Sequence, residues 1–440
     1  MGSITPTTSS SGENHSSVPS PVVIIGAGVG GLTLAQCLTK LSIPFQIYER
    51  DPDCHSRTQG YALAVHTIFD RLTEAFPSNM PPIRETVSHL APLFHLPTQF
   101  VMYNGLDAKG PFESDSKRMG IETNEENKLL RANRRRLREW LGTGIDVQYG
   151  RQATGIEEDA KGGLVNVKFK DGSEARASLV VGCDGTRSLV RQYLLSGKPD
   201  PLQDVPIASI VGEVELHGED MIRQLEIAHS GAVIVHPSDD PGEYVMNFVG
   251  LNEVRPDAKS ALFYWLVYFH IGEDQAPISR AKYKEAWKSP ETFLELALEK
   301  TKRFHPAFRN VIERTEVQGI KFLPLVLRDL VLKAEDITPG RVTLLGDAAH
   351  CMVPFRGEGG IRAMEDALSL AGYIERIVKG GEDIQEVMSE YQSTLLDRGA
   401  KSVSESRQAF EHISKVWTQG MPPMLLGYPT VPIPKRKIVI

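Results

Sequence analysis

The sequence predicts an α/β fold: a Rossmann-like dinucleotide-binding domain interrupted by an inserted β-sheet domain. Three observations carry this prediction. Residues 21–49 read as strand, glycine turn, helix, strand and acid. A run of apolar and aromatic strands fills most of 201–271. A second unit of strand, glycine loop and helix follows at 341–367, so the dinucleotide half resumes after the insertion.

Within the first unit, Val22 to Ile25 is an unbroken β-branched run, the mark of a strand buried on both faces. Gly26, Gly28 and Gly31 give GxGxxG. Leu32, Leu34, Ala35, Leu38 and Leu41 then form the apolar face of a helix, and Phe45 to Tyr48 is a second strand ending at Glu49. The acid lies 18 positions after the last glycine. Gly26 makes the tight turn, Gly28 lets the backbone approach a pyrophosphate, Gly31 allows close helix–strand packing, and Glu49 accepts from a ribose hydroxyl. An acid in that place favours an unphosphorylated ribose, as in FAD or NAD.

Further along, 57–66 alternates weakly and is expected as a strand. The many prolines of 77–125 predict loops and short strands. Residues 129–141, LLRANRRRLREWL, are expected as one helix. On it Arg134 shares a stripe with Leu130, Leu137 and Leu141 and points inward, whereas Arg131, Arg135 and Arg138 share a solvated face. Strands follow at 145–157 and 164–169, and 179–182 leads to the turn Asp184-Gly185 with Arg187, Ser188 and Arg191 beyond. The inserted sheet is expected as antiparallel strands at 208–216, 232–236, 244–251 and 261–271, with Asp239-Asp240-Pro241-Gly242 as a turn. Helical segments near 281–314 lead back to Val342–Leu345. There Gly346-Asp347 closes a strand, Pro354 opens a loop with Gly357, Gly359 and Gly360, and a helix starts near 360. A helix N-terminus behind a glycine loop suits an anion or a ring carrying partial negative charge. Two helices are expected over 382–417 and an irregular tail from Pro422.

These motifs resemble the single-component aromatic hydroxylases, the flavoprotein monooxygenases similar to 4-hydroxybenzoate hydroxylase. GxGxxG at 26–31, GCDGTRSLVR at 182–191 and GDAAH…P…GEGG at 346–360 fall in that family's order. The resemblance implies a glutathione-reductase-type FAD domain with FAD bound non-covalently. It assigns Asp347 to the ribityl chain, Gly359 and Gly360 to the pyrimidine side of the flavin, Ala62 to a backbone segment covering it, and Arg134, with Arg131 as its backup, to a direct contact. The segment with Asp184 is associated with both FAD and NADPH. Implied domain limits are 1–20 as a disordered tail; 21–75, 126–200 and 315–380 for FAD; 76–125 and 201–314 for substrate; and 381–440 for C-terminal helices and tail.

The implied reaction uses NAD(P)H and O₂ to hydroxylate or epoxidise an electron-rich aromatic, polyketide or indole-type small molecule, with secondary metabolism as its setting. NADPH is expected as a transient visitor near Arg187 and Arg191, because the chain has no second GxGxxG. Baeyer–Villiger insertion, or a reductase or dehydrogenase of the same fold, is the alternative. Halogenation is disfavoured because Trp140, Trp265, Trp287 and Trp417 are isolated and form no WxWxIP motif. His217, Arg223, His236 and Tyr244 are weak candidates for a substrate-activating group, and no catalytic residue stands out.

Composition agrees with a soluble enzyme. The 440 residues allow two or three domains, 41% are apolar, and a net charge of −7 gives no case for nucleic acid. Cys37, Cys54, Cys183 and Cys351 contain no CxxC pair, which points to a reducing compartment and away from a metal site. The Ser/Thr-rich start has no apolar signal core, and the longest apolar run, 261–269, is about half a membrane span. The expected location is cytoplasmic.

Overall fold

The computed structural model of the chain describes residues 20–56, 61–65, 67–107, 110–113, 117–124, 128–159, 163–237, 244–271, 289–321, 325–418, 420 and 423–438. The expected disordered tail up to 19, the turn at 239–242 and the first part of the helical stretch from 281 lie outside the described residues.

Val22–Ile25 is the middle strand of a five-stranded parallel sheet. In spatial order the strands are Val342–Leu344, Leu179–Gly182, Val22–Ile25, Phe45–Tyr48 and Val147–Gln148. The continuous apolar run is needed because helices cover both faces of a parallel sheet. Ile24, Leu34, Leu38, Met364 and Leu370 belong to one core that joins this sheet to the helices Val29–Lys40 and Gly359–Val378. A separate three-stranded antiparallel sheet holds Ala153–Glu158, Val165–Phe169 and Glu174–Ala177. The single strand expected over 145–157 is therefore two strands in different sheets, broken where Gly150 takes φ +72°.

The second body is an eight-stranded sheet. Its order is Leu325–Asp329, Gln203–His217, Ser260–His270, Tyr244–Val254, Gly231–Pro237, Gln99–Asn104, Met119–Glu122 and Val431–Pro432. All pairs are antiparallel except Gly231–Pro237 with Gln99–Asn104. The period of two splits each strand between two apolar environments. Phe263, Trp265, Val267 and Phe269 face a core under the helices Pro290–Lys300 and Pro306–Glu313. Tyr264, Leu266 and Tyr268 face the opposite way, into a cluster with Val353, Phe410 and Ile413.

Three expectations about 129–141 and the C-terminus are corrected. Leu130–Ala132 is a strand paired with Leu63–Val65, and the helix is only Arg134–Leu141. Asn133 decides the boundary: its side chain accepts from Arg136 N at 3.2 Å, a capping bond that fixes the helix start after it. The two expected C-terminal helices are one helix, Ile384–Thr418. The tail is not irregular throughout, because Met424–Leu425 pairs with Tyr428–Pro429 and Val431–Pro432 joins the large sheet.

Candidate active site

One cavity of about 980 Å³ lies between the carboxyl ends of the parallel strands and the inner face of the large sheet. Gly26, Gly28, Gly31, Glu49, Ala62, Arg134, Asp184, Asp347, Gly359 and Gly360 all line it. They come from six separated stretches of chain, so the fold, and not proximity in sequence, assembles them.

At one end stands the glycine turn. Gly26 has φ +108°, and a Cβ there would sit 2.4 Å from the Cys183 carbonyl oxygen. A Cβ on Gly31 would sit 2.1 Å from Gly26 O, so the helix starts as close to the strand as backbone allows. Gly28 is different: nothing lies within 4 Å of its Cβ position. Protein packing does not require this glycine, and the space beside it is open for a bound group. Glu49 is buried, accepting from Ala27 N at 2.8 Å and Asp51 N at 3.0 Å. These two backbone donors hold its carboxylate at the end of the second strand. Arg138, expected in solvent, is buried and donates through Nε to Ala27 O at 3.1 Å.

At the middle of the cavity, Asp347 is exposed and makes no hydrogen bond or ion pair among the described residues. The helix Gly359–Val378 begins without a side-chain cap, so its first N–H groups are left for a ligand. Behind both, Asp366 holds the segment rigid. Its carboxylate accepts from Gly346 N at 2.8 Å, pairs with His350 Nε2 at 2.6 Å and accepts from Arg398 Nε at 3.1 Å. Burial disfavours the charged form of His350, but the Asp366 carboxylate outweighs it and the imidazole pKa is raised. Burial opposes ionisation of Asp366 as well, yet His350 and Arg398 win and its pKa is lowered.

The Asp184 segment does less than its sequence suggests. The carboxylate accepts from Leu189 N at 2.7 Å, Val190 N at 3.3 Å and the Ser188 hydroxyl, so it caps its own short helix. Burial raises its pKa. Arg191 is fully buried and saturated by Asp200 at 2.8 Å, Ala348 O at 3.0 Å and Thr186 O at 2.7 Å. It is closed to NADPH, contrary to expectation. Arg187 is exposed and lines the cavity.

Arg134 reaches the cavity lining from the first helical turn, but it is exposed and not buried. The inward stripe fails because Leu130 is not on the helix. Arg131 is the buried arginine, 1% exposed. Its guanidinium donates to Leu251 O and, at 2.6 Å, to Tyr264 Oη.

The far end of the cavity is apolar and aromatic. Tyr61, Phe100, Val233, Met246, Phe248, Tyr264, Leu266, Tyr268 and Phe355 line it. Tyr61 stacks on Tyr264 with ring centroids 4.3 Å apart. Burial pushes up the pKa of Tyr61, Tyr264 and Tyr268, so all three remain neutral donors near pH 7. Tyr264 Oη accepts from Arg131, which leaves its own hydrogen for another partner. None of His217, Arg223, His236 and Tyr244 lines this cavity. Sequence reasoning missed Tyr61, the strand position of Arg131 and the facing of Tyr264 and Tyr268; a period-two count along 260–270, anchored on Trp265 as core, is the signal that separates the last two.

An FAD binding domain family model matches residues 114–406. Over 393 residues the chain is 39% identical to the FAD-dependent monooxygenase thnD of Trichoderma harzianum, covering 88% of this chain and 92% of that one. The chain belongs to the FAD-dependent monooxygenase family. A second member, dbaB of Emericella nidulans, is 30% identical over 404 residues, 88% of this chain and 95% of its own length. Among solved structures, Klebsiella pneumoniae HpxO complexed with FAD and uric acid has a TM-score of 0.65 at 21% identity, covering 91% of this chain and 92% of HpxO. The 2,6-dihydroxypyridine-3-hydroxylase of Arthrobacter nicotinovorans also gives 0.65, at 17% identity over 90% of this chain and 93% of its own. These likenesses show the fold. The monooxygenase has, among its described residues, no group of three or more His, Cys, Asp or Glu suited to a metal ion, and no helix long and apolar enough to cross a membrane. Open space at Gly28, an unengaged Asp347 and an uncapped helix start are features that fit FAD.

Proposed function

We propose that this FAD-dependent monooxygenase uses NADPH and O₂ to hydroxylate or epoxidise an electron-rich aromatic or polyketide-type small molecule. The observation that carries the reading is the division of one cavity into a polar, glycine-lined half and an apolar half walled by Tyr61, Phe248, Tyr264 and Tyr268. The fungal FAD-dependent monooxygenase relatives support a setting in secondary metabolism.

Gly26, Gly28 and Gly31 are proposed to hold the pyrophosphate against the first helix, and Glu49 the adenosine ribose. Asp347 binds the ribityl chain, and Gly359 and Gly360 present helix N–H groups to the flavin ring. Ala62 covers the ring by its backbone, and Arg134 supplies a charge from the rim. Asp184 contributes by shaping the turn around Gly185, since its carboxylate is spent on the cap. When bound, FAD supplies the two-electron and oxygen chemistry that no side chain here can perform. The chain's own work is to orient the substrate and exclude water. The apolar faces of the large sheet exclude water, and Tyr264, polarised by Arg131, offers a hydrogen bond to a substrate oxygen.

The test is NADPH oxidation coupled to O₂ uptake, measured with a panel of phenols, indoles and aromatic polyketides, with products identified by mass. Substrate-stimulated uptake and a product heavier by one oxygen are expected. NADPH oxidation with no oxygen incorporated into any ligand refutes the reading in favour of a reductase.

A further inference from the structure

We propose that the C-terminal strap, residues 423–438, is the wall that sets how large a substrate the apolar half accepts, with Leu426 as the specificity-determining residue. The inference rests on the proposed substrate role of that half. The strap lies beyond the matched FAD binding domain, which ends at 406, so it is not part of what that domain shares.

The strap is stitched to the edge strand Met119–Glu122 of the large sheet. Val431–Pro432 extends the large sheet by pairing with Gly120 and Met119, and Ile433 N donates to Arg118 O at 2.9 Å. Ile433 and Ile438 enter the core beneath that sheet, and Arg436 Nη2 binds Glu122 at 2.7 Å. Between these anchors and the long helix Ile384–Thr418, the hairpin at 424–429 hangs Leu425 and Leu426 into the cavity. Leu425 is buried there, in the cluster that contains Tyr264, Tyr268, Phe410 and Ile413.

Leu426 carries the argument. It is a leucine with φ +50°, a left-handed conformation that costs a non-glycine residue energy. The next residue, Gly427, is also left-handed at φ +80°. A turn could place glycine at both positions, yet here the first keeps a branched apolar side chain. Opposite it, Gly357 has φ +64°, and a Cβ on Gly357 would sit 3.0 Å from Leu426 Cδ2. A Cβ on Gly427 would sit 2.8 Å from Arg356 Nη2, and Arg356 is itself held by Glu358 at 2.7 Å and Glu405 at 3.3 Å. The loop of the second glycine motif and the strap are thus shaped to each other, with one strained leucine filling the joint on the cavity side. Met424, Tyr428 and Val431 of the strap face solvent, while Leu425, Ile433 and Ile438 are buried. The side chain at 426 is therefore placed to bound the ligand volume, and its neighbours outside the cavity are not.

The experiment measures ligand binding to FAD-loaded enzyme through the change in flavin visible absorbance, with resorcinol, 1,3-dihydroxynaphthalene and 1-hydroxyanthracene as one-, two- and three-ring probes. Leu426→Ala and Leu426→Gly should improve the Kd of the larger probes relative to resorcinol by at least tenfold. Leu426→Trp should move that ratio the other way. Met424→Ala, in the same hairpin but outside the cavity, should leave it in place. Leu426→Gly also guards against misfolding, since glycine suits φ +50°, and its bound FAD should match the wild type. Ligands that bind with a ratio moved less than threefold by all three Leu426 variants overturn the proposal alone. A wild-type flavin spectrum that none of the probes perturbs overturns the aromatic substrate reading and this proposal together.

Discussion

Replacing Asp347 by alanine separates a ligand-binding carboxylate from a structural one, because a second aspartate 19 residues away offers the opposite case. Asp347 is exposed to the cavity and has no hydrogen bond or ion pair among the described residues. Its loss therefore leaves no protein group unpaired, and the fold should be unaffected. What is lost is a charge-assisted bond to a ribityl hydroxyl, worth about 1.5–3 kcal/mol, or about ten- to hundredfold in FAD affinity. Asp366 is fully buried and binds Gly346 N, His350 and Arg398. Removing it strands the buried His350 and the half-buried Arg398, which costs about 3–5 kcal/mol of stability. The assay has two arms: FAD titration of deflavinated protein by fluorescence quenching, and thermal unfolding of the same apoprotein. Asp347→Ala should weaken FAD and leave apoprotein unfolding in place, while Asp366→Ala should lower the unfolding temperature by several degrees. An Asp347→Ala apoprotein that melts early, or an FAD Kd within threefold of wild type, refutes the reasoning.

Other outcomes follow from the same geometry. Arg134→Ala should weaken FAD binding while Arg135→Ala should not, since Arg135 is exposed and paired with Glu139 at 2.9 Å; equal losses by titration would show that the rim charge is not specific. Gly28→Val meets open space and should give a folded, colourless protein, whereas Gly31→Val, with its Cβ 2.1 Å from Gly26 O, should fail to fold, as read by circular dichroism and bound FAD. The His350 pKa is raised in the fold by Asp366, so its contribution is fully present below the unfolded value of about 6.5 and is lost as pH rises through the folded pKa. Wild-type unfolding free energy should therefore decline on the alkaline side of about pH 6.5, and His350→Asn should flatten that slope in denaturant titrations across pH.

The dinucleotide end was legible in sequence because its chemistry is local. A β-branched run, glycines at spacing 2 and 3, and an acid after the next strand form one βαβ unit, and such a unit folds the same way wherever it sits. The segment around Asp347 was legible for the same reason. The arginines were not. Arg131 and Arg134 are both candidates until Asn133 caps the helix and leaves Arg131 on a strand, and that choice depends on pairing with Leu63–Val65, far away in sequence. The apolar half was hidden by a different cause. Residues 261–269 are apolar on both faces because the sheet separates two apolar environments, so alternation carries no sign to say which face is which. The sequence by itself determined the βαβ unit with its glycines and acid, and the strand, turn, glycine loop and helix around Asp347. Only tertiary structure decided which tyrosines face it, that Arg191 is closed off behind Asp200, and that the last residues return to wall the cavity. Those outcomes depend on contacts between segments that no local pattern links.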